Sequence, residues 1–286
     1  MAQLLLHGTN FINFVGYNAW VGTEGSVDAV QVTEWEEPQA VIGSFLHKYA
    51  YPDWYQDHQD NKQVLKTGHS HSAGRTDCLQ MRGEYLYAAN GEDGMVVYDI
   101  ANVSNKGFSQ RIVTAPVSPG GQDTRIKSGN ATCVALPSNQ PIHPDRNKGK
   151  LMRETNQEWP FHPIYNYAFI TDAKEGLILT DINTLADGDP QNNFLERALT
   201  WNENGVLNGA RHITIGGYYL YIMAEKGLVI LNANDPLKPV VESIVPLKDG
   251  RSSALQFRYL WVTDAEGLKA IEIDDKKNPR LIKKKI

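Results

Sequence analysis

Only two cysteines, Cys78 and Cys133, occur in this chain, and neither belongs to a CxxC or CxxCH pattern. Covalent c-type haem is therefore excluded, and a cysteine-built zinc site lacks its ligands. Exported, the two cysteines could bridge; in a reducing compartment they would be two buried thiols. No apolar stretch reaches the length of a bilayer-crossing helix. Met1-Ala2-Gln3-Leu4-Leu5-Leu6 has no basic region ahead of its leucines and does not read as an intact signal peptide. Positive charge is also in short supply. Against 33 Asp and Glu stand 28 Lys and Arg, a net −5, without the basic stripe that nucleic-acid binding needs. The one basic run, Lys283-Lys284-Lys285, reads as a solvated edge. The phosphate-loop, GxSxG, HExxH and GxGxxG patterns are all missing.

What the chain does have is a repeat. NAWVGTEGSVDAVQV (18–32), EYLYAANGEDGMVVYDI (84–100), NYAFITDAKEGLILTDI (166–182), YLYIMAEKGLVILNA (219–233) and YLWVTDAEGLKAIEI (259–273) share one template. Each is a β-branched or aromatic run, a turn ending in glycine, and a second apolar run. The turn glycines are Gly25, Gly94, Gly176, Gly227 and Gly267, placed where a tight hairpin needs positive φ. Gly227 and Gly267 lie about 40 residues apart, the size of one propeller blade. The earlier gaps are longer and must hold insertions. Leu228-Val229-Ile230-Leu231 and Gly176-Leu177-Ile178-Leu179 do not alternate, so these strands are expected to be covered on both faces.

Prolines follow the second run in NDPLKPVVESIVPL (234–247) and DDKKNPRLIKKKI (274–286), as suits a turn and an outer strand. Here the chain resembles the LVIVD-repeat family of predicted β-propellers: GLVILNANDPLKPVVES matches nearly throughout, GLILTDINTLADGDP and GMVVYDIANVSNKG over the inner strand, and GSVDAVQV loosely. The resemblance implies architecture and a cell-surface or periplasmic setting, but no shared catalytic residues. The fold class expected is all-β, a β-propeller of about five repeats in a single domain over 1–286, with long insertions at about 46–80 and 115–165. The abrupt ends leave two expectations: a piece of a longer protein, or a ring closed by pairing Gln3–Leu6 with Leu281–Ile286.

Chemistry could sit in the insertions. Residues 46–80 hold His47, His58, His69 and His71, and His69-Ser70-His71 puts two imidazoles on one side of an extended segment. With Asp77 they could bind a divalent metal; the alternative is a polar loop with ordinary histidines. His143 and His162 precede prolines in the second insertion and are biased to extended backbone. Trp54, Tyr55, Trp159 and Phe161 are candidate interaction residues. Asp99, Asp172, Asp181 and Asp264 recur at hairpin positions, which favours turn capping over catalysis. The sequence therefore reads as a non-catalytic scaffold or protein-interaction module needing no cofactor. The competing reading is a metal-binding or redox-associated subunit using His69 and His71.

Overall fold

The computed structural model describes residues 9–15, 18–22, 26–31, 41–46, 75–100, 125–138, 148–149, 151, 161–185 and 195–282. Its elements are strands joined by tight turns and short 3-10 turns. The strands are β1 (Phe11–Val15), β2 (Asn18–Gly22), β3 (Ser26–Gln31), β4 (Val41–Leu46), β5 (Cys78–Arg82), β6 (Tyr85–Ala89), β7 (Met95–Asp99), β8 (Arg125–Ile126), β9 (Ala131–Ala135) and β10 (Tyr167–Asp172). After them come β11 (Gly176–Asp181), β12 (Glu196–Trp201), β13 (His212–Gly216), β14 (Tyr219–Ala224), β15 (Gly227–Asn232), β16 (Val240–Val245), β17 (Ser252–Gln256), β18 (Tyr259–Asp264), β19 (Gly267–Glu272) and β20 (Arg280–Ile282). They make five four-stranded sheets, each ordered as in the chain: β1 to β4, β5 to β8, β9 to β12, β13 to β16 and β17 to β20. This antiparallel meander is the blade of a β-propeller.

Each of the five sequence repeats is the central hairpin of one sheet: β2–β3, β6–β7, β10–β11, β14–β15 and β18–β19. The register slips by one residue at equivalent places, between Leu179 and Thr180 and between Ile230 and Leu231, so one bulge is part of the repeat. Gly94, Gly176, Gly227 and Gly267 have positive φ; Gly25 lies outside the described residues. At Gly227 a second constraint is added. A Cβ there would sit 2.3 Å from the Val245 carbonyl oxygen and 2.5 Å from the Leu247 nitrogen, whereas at Gly267 it would meet nothing.

Two compact units are present, residues 1–134 with 189–195, and residues 135–188 with 196–286. Within each, sheets stack by one rule. In the first unit Phe11 and Trp20 of β1 and β2 pack on Leu79, Met81, Leu86, Ala88, Val96 and Tyr98 of the next sheet. In the second, Tyr219, Tyr221, Met223, Leu228 and Ile230 pack on Leu255, Leu260, Val262 and Ile271 of the sheet that follows. We call these the far face of one sheet and the near face of the next. The strands expected to be covered on both sides are so: β14 is buried from Leu220 to Ala224 and β15 from Gly227 to Leu231.

The insertions are narrower than their sequence bounds. Leu46 closes β4 and Cys78–Gln80 open β5. Within 115–165 lie β8, β9 and the start of a 3-10 turn at Pro163–Asn166. Short strands that lack the glycine hairpin carry too little pattern to be separated from a loop. Gln3–Leu6 lies outside the described residues, and β20 pairs with β19.

Candidate functional site

His47, His58, His69, His71, Trp54, Tyr55, His143 and Trp159 lie outside the described residues. Asp77 lies within them: its N–H donates to the Ala89 carbonyl at 2.9 Å, and its carboxylate pairs with Arg75 Nε at 2.5 Å. Arg75 and Asp77 line a polar hollow of about 190 Å³ with Asn90, Gly91, Glu92, Asp93 and Asn130 at the β6–β7 turn. Below it Thr76 Oγ1 bonds Asn90 Oδ1 at 2.9 Å. Among the described residues, no group of three or more His, Cys, Asp or Glu is placed to hold a metal ion.

Cys78 and Cys133 form a disulfide with a Cα–Cα distance of 4.7 Å. It ties the first residue of β5 to β9. The pairing replaces the alternative of two separate buried thiols: a Cα separation of 4.7 Å is within the span of a bridge.

Three of the recurring aspartates, Asp172, Asp181 and Asp264, cap turns. Asp172 Oδ1 accepts the N–H groups of Lys174 and Glu175 at 2.8 Å each, Asp181 that of Asn183 at 2.9 Å, and Asp264 that of Glu266 at 2.9 Å. Asp264 is buried. Burial pushes its carboxyl up, but the Lys269 ammonium at 2.5 Å and the Glu266 N–H outweigh that and hold it below its ordinary value. His162, extended as its proline requires (ψ 140°), is buried; its Nδ1 accepts the Ile164 N–H at 3.1 Å and its Nε2 faces Asn234 Oδ1 at 3.3 Å. Both ring nitrogens are thus engaged in holding a turn. Phe161 is exposed, with its ring 6.1 Å from that of Tyr165.

Sequence reasoning missed a polar cluster on the first strands of two neighbouring sheets. His212 of β13 and Ser253 of β17 meet where Ser253 N–H donates to His212 Nδ1 at 3.3 Å; Ser253 Oγ lies 3.4 Å from the same nitrogen and 2.9 Å from Thr214 Oγ1. Burial lowers the His212 pKa to about 4, so the ring is neutral near pH 7. A neutral imidazole beside a serine hydroxyl suggests nucleophilic catalysis, but the Nδ1 lone pair already accepts a backbone N–H and the Oγ contact is long. The arrangement fastens two strands rather than activating a nucleophile.

The last sheet carries the features that packing leaves unexplained. Its near face, Leu260, Val262 and Ile271, is buried against the preceding sheet. Its far face holds Tyr259, Trp261, Thr263, Leu268 and Ile282, none of them buried. Leu268 is 53% exposed. At the other end of β18 from Leu268, the β17–β18 turn sets Phe257 at φ 53° with 94% of its surface exposed. The same turn has Gly83 (φ 59°) between β5 and β6 and Gly217 (φ 62°) between β13 and β14. A phenylalanine at a left-handed position stores strain that glycine avoids. No sequence pattern marks it, because the glycine it replaces is visible only once the turns are superposed.

The family model of the LVIVD repeat matches residues 73–114, 165–187 and 209–245. The chain matches the LVIVD repeat in these three segments, about a third of its length. Each of the three matched segments contains the complete central hairpin of its sheet: β6–β7, β10–β11 and β14–β15. No curated protein matches the chain. Among solved structures, the chain is similar to a Bacteroides fragilis protein described as a candidate 6-phosphogluconolactonase, at 14% identity and TM-score 0.61 over 96% of this chain and 69% of that one. A functionally unknown protein from Desulfotomaculum acetoxidans matches at 11% identity and TM-score 0.58, over 98% and 70%. The β-propeller domain of Cps50 (Swd1) from Myceliophteria thermophila matches at 11% and 0.51, over 89% and 66%. At these identities the likeness concerns the fold alone.

Proposed function

We propose that this LVIVD-repeat chain is a non-catalytic binding module that docks a protein partner in an oxidising compartment, at the cell surface or in the periplasm. The observation that carries the reading is Phe257, strained and almost fully exposed in the turn that leads into β18. A large aromatic held in that state is costly to the fold and suits an interface anchor. The Cys78–Cys133 bridge supports the compartment, because disulfides persist where thiols are not kept reduced. No helix among the described residues is long and apolar enough to cross a membrane. The competing divalent-metal site at His69, His71 and Asp77 gains no support from Asp77, whose carboxylate already pairs with Arg75.

A benzophenone photo-crosslinking residue in place of Phe257 is expected to give adducts with another polypeptide in cells, and the same residue in place of exposed Lys226 none. Equal yields at the two positions, or none at either, would overturn the binding reading. Alkylation without reductant should leave Cys78 and Cys133 unmodified; free thiols in cell extracts would remove the compartment.

A further inference from the structure

We propose that Asn204, in the turn joining β12 to β13, is a site of spontaneous covalent modification: the Gly205 nitrogen closes on its side chain, and the product is aspartate or isoaspartate. The reaction does not depend on the binding reading. Asn-Gly occurs three times in the chain, at Asn90-Gly91, Asn204-Gly205 and Asn208-Gly209. All three pairs have the composition the reaction wants, because glycine lets its own backbone nitrogen approach closely. The fold separates them.

Residues 203–206 form a type I′ turn. Asn204 has φ 52° and ψ 26°, Gly205 has φ 63°, and the Val206 N–H donates to the Glu203 carbonyl at 3.1 Å. Ring closure needs the Gly205 nitrogen to eclipse the Asn204 Cβ, and a type II′ turn does this, with ψ of about −120° and φ of about +60° at the same position. Rotating the single peptide plane between Asn204 and Gly205 therefore turns the resting conformation into the reactive one, with φ of Asn204 already in place.

At the other two pairs that plane is held from both sides. The Asn208 carbonyl accepts the Glu225 N–H at 3.0 Å while the Gly209 N–H donates to the Ala173 carbonyl at 3.0 Å; the Asn90 carbonyl accepts the Asp93 N–H at 3.1 Å while the Gly91 N–H donates to the Ala131 carbonyl at 3.0 Å. Their carboxamides are held as well, Asn208 Oδ1 by Asn202 Nδ2 at 2.8 Å and Asn90 Oδ1 by Thr76 Oγ1 at 2.9 Å. Neither residue has positive φ. Asn204 is exposed, and its carbonyl and carboxamide make no hydrogen bond among the described residues. Only the Gly205 N–H is engaged, with the Asn202 carbonyl at 3.2 Å. Once the plane has turned, the Gly205 nitrogen gives its proton to hydroxide and bonds to Asn204 Cγ. The carboxamide C–N bond breaks, and its nitrogen takes a proton from water and leaves as ammonia. Water then opens the cyclic imide at either carbonyl. One opening leaves aspartate with the main chain unchanged; the other routes the main chain through Cβ and Cγ and frees the α-carboxylate. Either product sets a new negative charge beside Glu203.

Peptide mapping by mass spectrometry tests this, on folded chain aged in mildly alkaline buffer and on chain aged in the same buffer with urea. In the folded chain, conversion at Asn204 is expected to outpace that at Asn90 and Asn208 by about tenfold or more, the factor that one further backbone hydrogen bond to open imposes. An isoaspartate-specific methyltransferase should label the peptide that holds residue 204. In urea the three pairs should convert at similar rates, since the fold alone distinguishes them. Asn204→Gln keeps an exposed carboxamide but needs a larger ring, and it should remove the label. Should that variant lose its native circular dichroism, the comparison of folded with urea-treated wild type decides by itself. Conversion of Asn90 or Asn208 in the folded chain as fast as Asn204 overturns the proposal. So does an Asn204 that stays intact in the folded chain while the urea-treated chain converts, or a label that persists on the same peptide of folded Asn204→Gln.

Discussion

The hairpins β14–β15 and β18–β19 are near-copies in sequence and opposites in environment. YLYIMAEKGLVILNA is buried from Leu220 to Leu231 apart from its turn, whereas YLWVTDAEGLKAIEI is buried at alternate residues of β18 and at Ala270 and Ile271 of β19. The difference lies in what covers the far face. Between the two hairpins Tyr221 becomes Trp261, Val229 becomes Lys269, and Ala224 becomes Asp264. The near face of the last sheet, though packed on its neighbour, therefore takes in an Asp264–Lys269 ion pair. The repeat template specifies a hairpin; its neighbours decide which of its residues carry stability.

The largest expected contrast tests the turn glycines. Gly227→Val forces a β-branched side chain into φ 110° and into the Val245 carbonyl, a loss of about 4 kcal/mol or more. Gly267→Val meets open space at φ 118° and carries the backbone strain alone, about 2 kcal/mol. Urea unfolding of both variants checks the ranking. Equal losses would mean that the outer strand β16 does not close over Gly227 as described.

Next in size is truncation of the equivalent aromatics. Tyr221→Ala should cost about 3–4 kcal/mol, as removal of a fully buried ring does, and Trp261→Ala about 1 kcal/mol in the isolated chain, since that ring remains half in water. A Trp261→Ala effect as large as that of Tyr221→Ala would break the comparison.

The hairpins were legible in the sequence for a physical reason: glycine at positive φ and an uninterrupted apolar run are local requirements, so Gly94, Gly176, Gly227 and Gly267 announce them. The outer and innermost strands were less so. β5 was read as part of an insertion because a short strand without its own turn glycine looks like loop; β9 lay inside the second insertion, where the run TCVALP is compatible with a strand. The Cys78–Cys133 bridge depends on two strands far apart in sequence meeting, which spacing alone does not encode. His212 and Ser253 were invisible for the same reason. Phe257 was hidden differently: its meaning lies in the contrast with Gly83 and Gly217, and the backbone angle supplies it.

His212 gives the comparison a pH axis. Its folded pKa of about 4 lies below the ordinary histidine value of 6.5, so between those limits the unfolded chain binds the proton that the folded chain refuses. Stability is full above pH 6.5, falls as pH drops through that window, and levels off below about 4, by at most about 3 kcal/mol for a shift of this size. His212→Gln should flatten the slope of unfolding free energy against pH in that window. A slope unchanged by the substitution would place the titrating group elsewhere.

The smallest effect, and the most diagnostic, is the exchange at the β13–β14 and β17–β18 turns. Phe257→Gly removes left-handed strain of about 1–2 kcal/mol but restores backbone freedom to the unfolded chain worth about 0.5–1 kcal/mol. The variant should therefore be more stable than wild type by about 0.5–1 kcal/mol. The reverse exchange, Gly217→Phe, introduces the strain at φ 62° where an added Cβ meets nothing, and the unfolded-state term now opposes it, so it should lower stability by a similar small amount. A ring that served packing would show the opposite sign at 257. A stabilising Phe257→Gly that also removes partner adducts at neighbouring surface positions would mean the fold keeps this phenylalanine at its own expense for contact with another chain.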